Sequence, residues 1–351
     1  MTDQGKIAVM GVSGYAGMEL ARLLLHHPQL KNRAPLFLGR SGSTSEALTN
    51  LHPQLLDNRN AASLRVEPFD WQRLQEGQID ILLLALPHEQ SRSLVPEALQ
   101  HGIRVIDLSG AWRLKEAGNR AVYAFEDEGS DQAASIQAQA VYGMPELHRE
   151  QIASARLVAN PGCYATSVIL ALKPLVSAGW VDVDRGIVCD SKSGVSGAGK
   201  SPTAKTHFMY AANNLSAYGL FGHRHTGELL EQMQLSREQI VFTPHLLPIP
   251  RGILSTIYVH FNEPKQVPEI EKCFRDFFAE SPMVRVFPAG NLPQIQYSVN
   301  TGYCDIGFQL DRDGRRCIIV SCLDNLLKGA ASQAVQNLNL MCGWNESEGL
   351  E

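Results

Sequence analysis

The sequence has no Cys-x-x-Cys pair among its 7 cysteines and no surplus of positive charge. Nor does it hold an apolar run near the roughly 20 residues that a membrane-spanning helix needs. Each absence excludes a class of function. The longest apolar stretch, residues 79–86, is interrupted by Asp80 and closed by Pro87, so no membrane span is expected. Lys and Arg number 31 against 36 Asp and Glu, a formal net charge of -5, which gives no electrostatic ground for binding nucleic acid or an anionic lipid surface. Small metabolites are the expected partners. Scattered cysteines, and a first strand that opens at Lys6 with no room for a leader before it, point to a reducing cytoplasm.

What is present is a folded enzyme-sized chain. With 351 residues, 44% apolar and 19% charged, it exceeds one ordinary core, and two domains are expected. Residues 6–11 read as a buried parallel strand, and residues 15–27 follow as a helix with Leu20, Leu23 and Leu24 on one face before Pro28 ends it. Strands at 35–39, 79–86 and 103–108 and a helix at 89–100 continue the alternation. Such alternation predicts an α/β fold, a Rossmann-type doubly wound parallel sheet. Beyond residue 163 the texture changes. A helix at 166–176 and strands at 187–189, 239–242, 254–261 and 317–320 predict a second, α+β domain. The spacing predicts a last helix over 324–341 that returns to the first domain. The expected division is 1–160 with 323–351 for dinucleotide binding, and 161–322 for catalysis and oligomerisation.

The most informative segment is Asn160-Pro161-Gly162-Cys163-Tyr164-Ala165-Thr166. A cysteine after a Pro-Gly turn and before a helix meets the positive end of the helix dipole, which favours thiolate over thiol and makes Cys163 a candidate nucleophile. At the other end of the chain, Gly11-Val12-Ser13-Gly14-Tyr15-Ala16-Gly17 follows the first strand. Its three glycines suit a tight turn, close approach of a pyrophosphate and a helix start facing the anion. The spacing is G-x-x-G-x-x-G, less specific alone than G-x-G-x-x-G. NAD-specific loops carry a carboxylate after the second strand; here that region reads Gly39-Arg40-Ser41-Gly42-Ser43. Arg40 with Ser41 or Ser43 suits a 2′-phosphate, which favours NADP. A nucleophilic cysteine beside a nicotinamide implies acyl or aldehyde redox chemistry.

Several segments together resemble the N-acetyl-gamma-glutamyl-phosphate reductase family: residues 11–20, Pro87-His88, Asp107-Leu108-Ser109, residues 142–146, 160–166 and 193–199, His223-Arg224-His225, Pro244-His245-Leu246 and residues 324–337. The resemblance spans nearly the whole chain and is closer than that to aspartate-semialdehyde dehydrogenase, whose superfamily shares the two-domain architecture. It implies NADPH-dependent reduction of N-acetyl-glutamyl phosphate to the semialdehyde with release of phosphate, through a Cys163 thioester, in arginine biosynthesis.

The resemblance also assigns roles. His225 would be the acid/base, with His223 in reserve. Arg113 would lie on the phosphate side, with Ser109, Arg224 and Arg251 toward the substrate. Pro87, Ser193, Gly194, Asn325 and Lys328 would approach the cofactor. The implied assembly is a homodimer or homotetramer. No metal is expected, since His-x-His lacks a further ligand at suitable spacing. Four positions depart from the family pattern: Ala111 for an acidic residue, Lys200 for an arginine, Gly227 for a proline and Ser332 for a glycine. Competing readings are a reductase of another acyl phosphate (aspartyl phosphate or a carrier-linked intermediate), a non-catalytic NADP sensor, and a cysteine hydrolase.

Overall fold

Strand β1 (Lys6–Met10) is buried along nearly its whole length, as a strand covered on both faces must be, and it organises the first sheet. The structure is a computed structural model that describes residues 5–56, 58 and 61–350; residues 1–4 and 351 of the expected first domain lie outside the described residues. The sheet comprises β1, β2 (Leu36–Leu38), β3 (Glu46–Ala47), β4 (Arg65–Glu67), β5 (Ile79–Leu84), β6 (Arg104–Asp107), β7 (Val141–Tyr142) and β8 (Leu157–Ala159). Their order is β3-β4-β2-β1-β5-β6-β8-β7, parallel throughout except for the β3–β4 pair. From β1 the chain winds one way to β2 and later the other way to β5 and β6. The switch point of the doubly wound sheet is therefore beside β1 and β5.

The second sheet holds β9 (Ile187–Gly194), β10 (Ser216–Ala217), β11 (Ile240–Leu247), β12 (Ile253–His260), β13 (Val284–Val286), β14 (Cys304–Leu310) and β15 (Arg316–Leu323), in the order β10-β11-β9-β12-β15-β14-β13. It is mixed: β11–β9 and β13–β14 are parallel and the remaining pairs antiparallel. Burial alternates along β9 and β12, so one face is covered and the other open. The helix Cys163–Ser177 covers it, apolar on nearly every side, and packs on β12 and β15. Between helix and sheet, the Ser167 hydroxyl lies within hydrogen-bond distance of the hydroxyls of Ser255 (2.9 Å) and Ser321 (3.1 Å), small groups that satisfy one another in a buried layer.

The chain divides into two compact units, Met1–Arg113 with Phe125–Pro161 and Ala330–Glu351, and Leu114–Ala124 with Gly162–Gly329. Residues 114–124 and 323–329 thus go with the second unit and Pro161 with the first, unlike the expected division, and the final helix starts at Ala331, not at 324. The reason is Asp324. Its buried carboxylate accepts the N–H groups of Leu326 (2.8 Å) and Asn300 (2.8 Å) and pairs with Arg251 (3.0 Å), which holds a turn where periodicity alone reads as helix. The helix Ala331–Cys342 is almost wholly buried in the first unit despite its Asn and Gln content. Gln333 and Asn337 each donate to Gly143 O at 2.8 Å, and His27 meets Asn339 at 3.0 Å. No helix among the described residues is long and apolar enough to cross a membrane.

Candidate active site

The glycine loop lies at the switch point of the first unit. Gly11 has φ +95°, and a Cβ there would collide with Ala85 O at the end of β5; a Cβ on Gly17 would collide with Gly11 O. Gly14 differs. It has ordinary φ -85°, caps the helix Tyr15–His26, and a Cβ on it would meet nothing closer than 3.7 Å. Internal packing accounts for Gly11 and Gly17, while the open space at Gly14, before a helix N-terminus, fits an approaching phosphate. Ser13, Tyr15 and Ala16 complete the loop, with Ser13 and Tyr15 exposed. Arg40 and Ser41 stand exposed just past β2, in a turn closed by Ser43 N–H to Arg40 O (3.2 Å). Pro87 precedes the first residue of the helix His88–Gln100.

Ser109 and Arg113 belong to the same unit and are internally engaged. Ser109 donates its hydroxyl to Asp107 (2.7 Å) and accepts from Ala111 N–H (3.1 Å). Asp107 is fully buried, and burial pushes its carboxyl up against the opposing pull of the Ser109 hydrogen bonds. Arg113 spans two strand ends, donating to Asn160 O (2.7 Å) and Leu108 O (2.8 Å). Ala111 is buried beside them, with its carbonyl on Arg92 (3.0 Å).

In the second unit Cys163 is itself the first residue of its helix, one turn earlier than periodicity suggests. Gly162, extended at φ -74° and ψ 146°, is the cap, and its carbonyl accepts Thr166 N–H (2.8 Å) and Oγ1 (3.0 Å). The surroundings of Gly162 bring in residues far along the chain. A Cβ there would stand 2.5 Å from His225 Nε2 and 2.7 Å from Glu228 Oε1, and Gly162 N–H donates to Glu228 Oε2 at 2.9 Å. Behind Cys163, a Cβ on Gly329 would come within 2.7 Å of the cysteine's own Cβ. The backbone at Gly162 and Cys163 is closely packed on both sides.

A cavity of about 600 Å³ opens over Cys163, with Tyr164, Ser193, Tyr218, His223, Arg224 and His225 in its wall. Lys205 adds a second cation, and among the described residues no carboxylate lines the cavity. The rings form a box: Tyr164 lies edge-on to His223 (5.7 Å) and His225 (6.0 Å), and the two histidine rings are 4.8 Å apart. Tyr164 donates to His245 O at 2.7 Å, which fixes this wall to β11. Burial pushes the Tyr164 and Tyr218 hydroxyls upward, so both stay protonated. His223 is held down to about 4, by burial first and the adjacent Arg224 charge second.

Four other cysteines are favoured as neutral thiols by their burial. Burial pushes Cys189 and Cys322 upward, Cys317 to about 12 and Cys342 to about 11. Cys163 stands instead at a helix N-terminus in the wall of the cavity. No group of three or more metal-ligating side chains occurs among the described residues.

Of the remaining residues singled out by sequence, Gly194 packs so closely that a Cβ would meet Arg251 N at 2.7 Å. Arg251 is committed to Asp324. Asn325 accepts Gly252 N–H (2.7 Å) and donates to Ser196 (2.9 Å), and Lys328 is fully buried. Of the departures, Lys200 is exposed and absent from the cavity, Ser332 is buried, and a Cβ on Gly227 would press Leu114 and Asn119 at 3.0 Å. Glu228, Gly329, Tyr218 and Lys205 were not singled out. Gly162 had appeared only as a turn residue. The glycine before the cysteine was the one local signal of a close approach.

Two family models match, a semialdehyde dehydrogenase NAD binding domain over residues 6–155 and a semialdehyde dehydrogenase dimerisation domain over residues 163–325. The chain is 44% identical to an N-acetyl-gamma-glutamyl-phosphate reductase of Desulfotalea psychrophila, over 99% of this chain and 98% of that one. It is 40% identical to the protein of the same name from a Cyanothece species, over 100% and 98%. Among solved structures, an aspartate semialdehyde dehydrogenase II from Vibrio cholerae matches with TM-score 0.69 at 20% identity, covering 97% of this chain and 98% of that one. The likeness to that structure is one of fold.

Proposed function

This chain belongs to the N-acetyl-gamma-glutamyl-phosphate reductase family, and from that premise we propose that it makes N-acetyl-glutamate semialdehyde by NADPH-dependent reduction of the acyl phosphate through a Cys163 thioester. The observation that carries the mechanism is the Cys163 cavity, where a helix N-terminus, a histidine pressed on Gly162 and a cationic wall without carboxylates meet. A substrate with one carboxylate and one phosphate matches Arg224 and Lys205.

His225 takes the thiol proton, and the thiolate attacks the acyl carbon. The S–C bond forms, the C–O bond to phosphate breaks, and phosphate leaves with the electron pair. Gly11, Ser13, Gly14 and Gly17 of the first unit would hold the phosphates of a dinucleotide, which when bound would supply the hydride that reduces the thioester. The tetrahedral oxyanion so formed collapses to the aldehyde, the C–S bond breaks with its electron pair on Cys163, and His225 returns its proton to the thiolate. Glu228 keeps Gly162 in place and with it the first turn of the Cys163 helix.

The preference for NADP over NAD rests on Arg40, whose side chain has no ion pair among the described residues, and on the lack of a carboxylate at 39–43. A homodimer is the proposed assembly, in keeping with the dimerisation-domain match. On the open face of the second sheet, Val241, Val188, Tyr258 and Ile318 form one row across four neighbouring strands, each 37–42% exposed. An apolar row of that kind suits a second copy. A biosynthetic reductase whose 7 cysteines are all free belongs in the cytoplasm.

The test runs the reaction backwards, because the aldehyde outlasts the acyl phosphate. N-acetyl-glutamate semialdehyde and NADP should give reduced nicotinamide only when phosphate is present, and Cys163→Ser should abolish it. A folded protein that binds NADP but shows no phosphate-dependent turnover would overturn the reading.

A further inference from the structure

His223 and His225 line one cavity yet are wired differently. The Nδ1 of His223 accepts the backbone N–H of His225 at 3.1 Å. A ring nitrogen that accepts an N–H carries no hydrogen, so the neutral ring bears its hydrogen on Nε2. No acceptor takes that hydrogen among the described residues, and the ring stands in the cavity wall. Its packing disfavours a second proton. Arg224 adjoins it, and the rings of Tyr164, Tyr218, Phe242 and His225 surround it at 4.8–5.7 Å without supplying a carboxylate. Glu228, the nearest acidic residue in sequence, is turned to Gly162 N–H.

We propose that His223 is a permanent neutral hydrogen-bond donor that stabilises the oxyanion of the acyl carbon, leaving proton transfer to His225. This deepens the thioester reading and rests on it. When Cys163 sulfur bonds to the carbonyl carbon, the π pair moves onto the carbonyl oxygen, and the Nε2–H of His223 donates to it. The pair returns as phosphate is expelled, and His223 ends with the proton it began with. A neutral imidazole suits this task. It stabilises developing charge without surrendering a proton, and it coexists with Arg224 where an imidazolium would be repelled.

Two experiments on the full-length enzyme test this. Nitrogen-15 NMR of histidine-labelled protein should show one neutral ring with hydrogen on Nε2 whose signals, absent from His223→Gln, stay constant between pH 5.5 and 8. That arm needs no substrate, so it reads the proposal even if the substrate assignment fails. In steady-state kinetics, His223→Ala should lower kcat about 10²-fold with KM little changed and the acid limb of the pH profile in place. His223→Gln, whose amide donates from a similar position, should recover much of the loss. A His223 ring that titrates near pH 6.5, or one with hydrogen on Nδ1, would overturn the proposal. Loss of the acid limb in both variants would do the same, since it would make His223 the base.

Discussion

Glu228 Oε2 accepts the backbone N–H of Gly162 at 2.9 Å, so a fully buried carboxylate grips the residue directly before Cys163. The second oxygen of that carboxylate and His225 Nε2 both flank the same glycine. Three groups thus share one small volume, and glycine is the residue that leaves room for them.

Gly162→Ala should therefore displace His225 or the first turn of the helix. Turnover is expected to fall about 10²-fold, the usual cost of moving a reacting group by an ångström, while dinucleotide affinity is unchanged. Steady-state kinetics and fluorescence titration with NADPH check the two halves. Gly329→Ala, which would press on the Cys163 Cβ from the other side, should act in the same direction.

In the phosphate loop, two glycines should respond differently to the same methyl group. Gly17→Ala meets Gly11 O and should destabilise the fold by 1–3 kcal/mol, on the order of overpacking costs elsewhere. Gly14→Ala meets only Gly11 O, at an ordinary contact distance of 3.7 Å, and should leave the melting temperature alone while weakening NADPH binding. Thermal melts with and without NADPH separate them; equal melts and equal affinities would show that Gly14 does not face the pyrophosphate.

Arg40→Ala should raise KM for NADPH about 10- to 100-fold, corresponding to a lost charge-assisted hydrogen bond, and leave KM for NADH unchanged. Parallel titrations with the two cofactors decide it. Equal effects on both would remove Arg40 from the 2′-phosphate.

Charge placed in the apolar row of the open sheet face should block association. Tyr258→Glu puts a carboxylate between Val188 and Ile318. Light scattering should report a monomer for the variant and a dimer for the parent at micromolar concentration. A variant dimer would move the interface elsewhere.

Acid should weaken the fold through two histidines. His27, buried with Nε2 toward Asn339 and Nδ1 accepting Gln29 N–H, is held below 6.5 by burial, and His223 down to about 4. In both cases the folded chain binds fewer protons than the unfolded one below pH 6.5. Stability contributed by each ring is complete above that pH. It is lost by roughly 1.4 kcal/mol per pH unit as the pH falls toward the folded value. Asp107, with its raised carboxyl, acts in the opposite sense at lower pH. Urea unfolding at pH 7.5 and 5.5 should show a smaller acid loss in His27→Gln than in the parent. An unchanged slope would mean that the His27 site accepts a proton without cost.

The sequence by itself determined the strand-loop-helix of the first unit and the strands near 187, 240, 254 and 317, and it singled out Cys163 as the candidate nucleophile. These are local features: a buried apolar run, glycines at a βα turn, a cysteine after Pro-Gly, each carried by neighbours a few residues apart. Tertiary structure decided the rest. Glu228 reaches Gly162 across 66 residues, Arg251 is diverted to Asp324 across 73, and the last helix waits for the Asp324 turn before it starts. Periodicity and propensity are sums over adjacent residues, whereas these pairings depend on which side chains the sheet registers and helix packing bring into contact. Hence the candidate nucleophile is legible in seven consecutive letters, while the Glu228 contact beside it, and the second cation in its cavity, emerge only when the chain is folded.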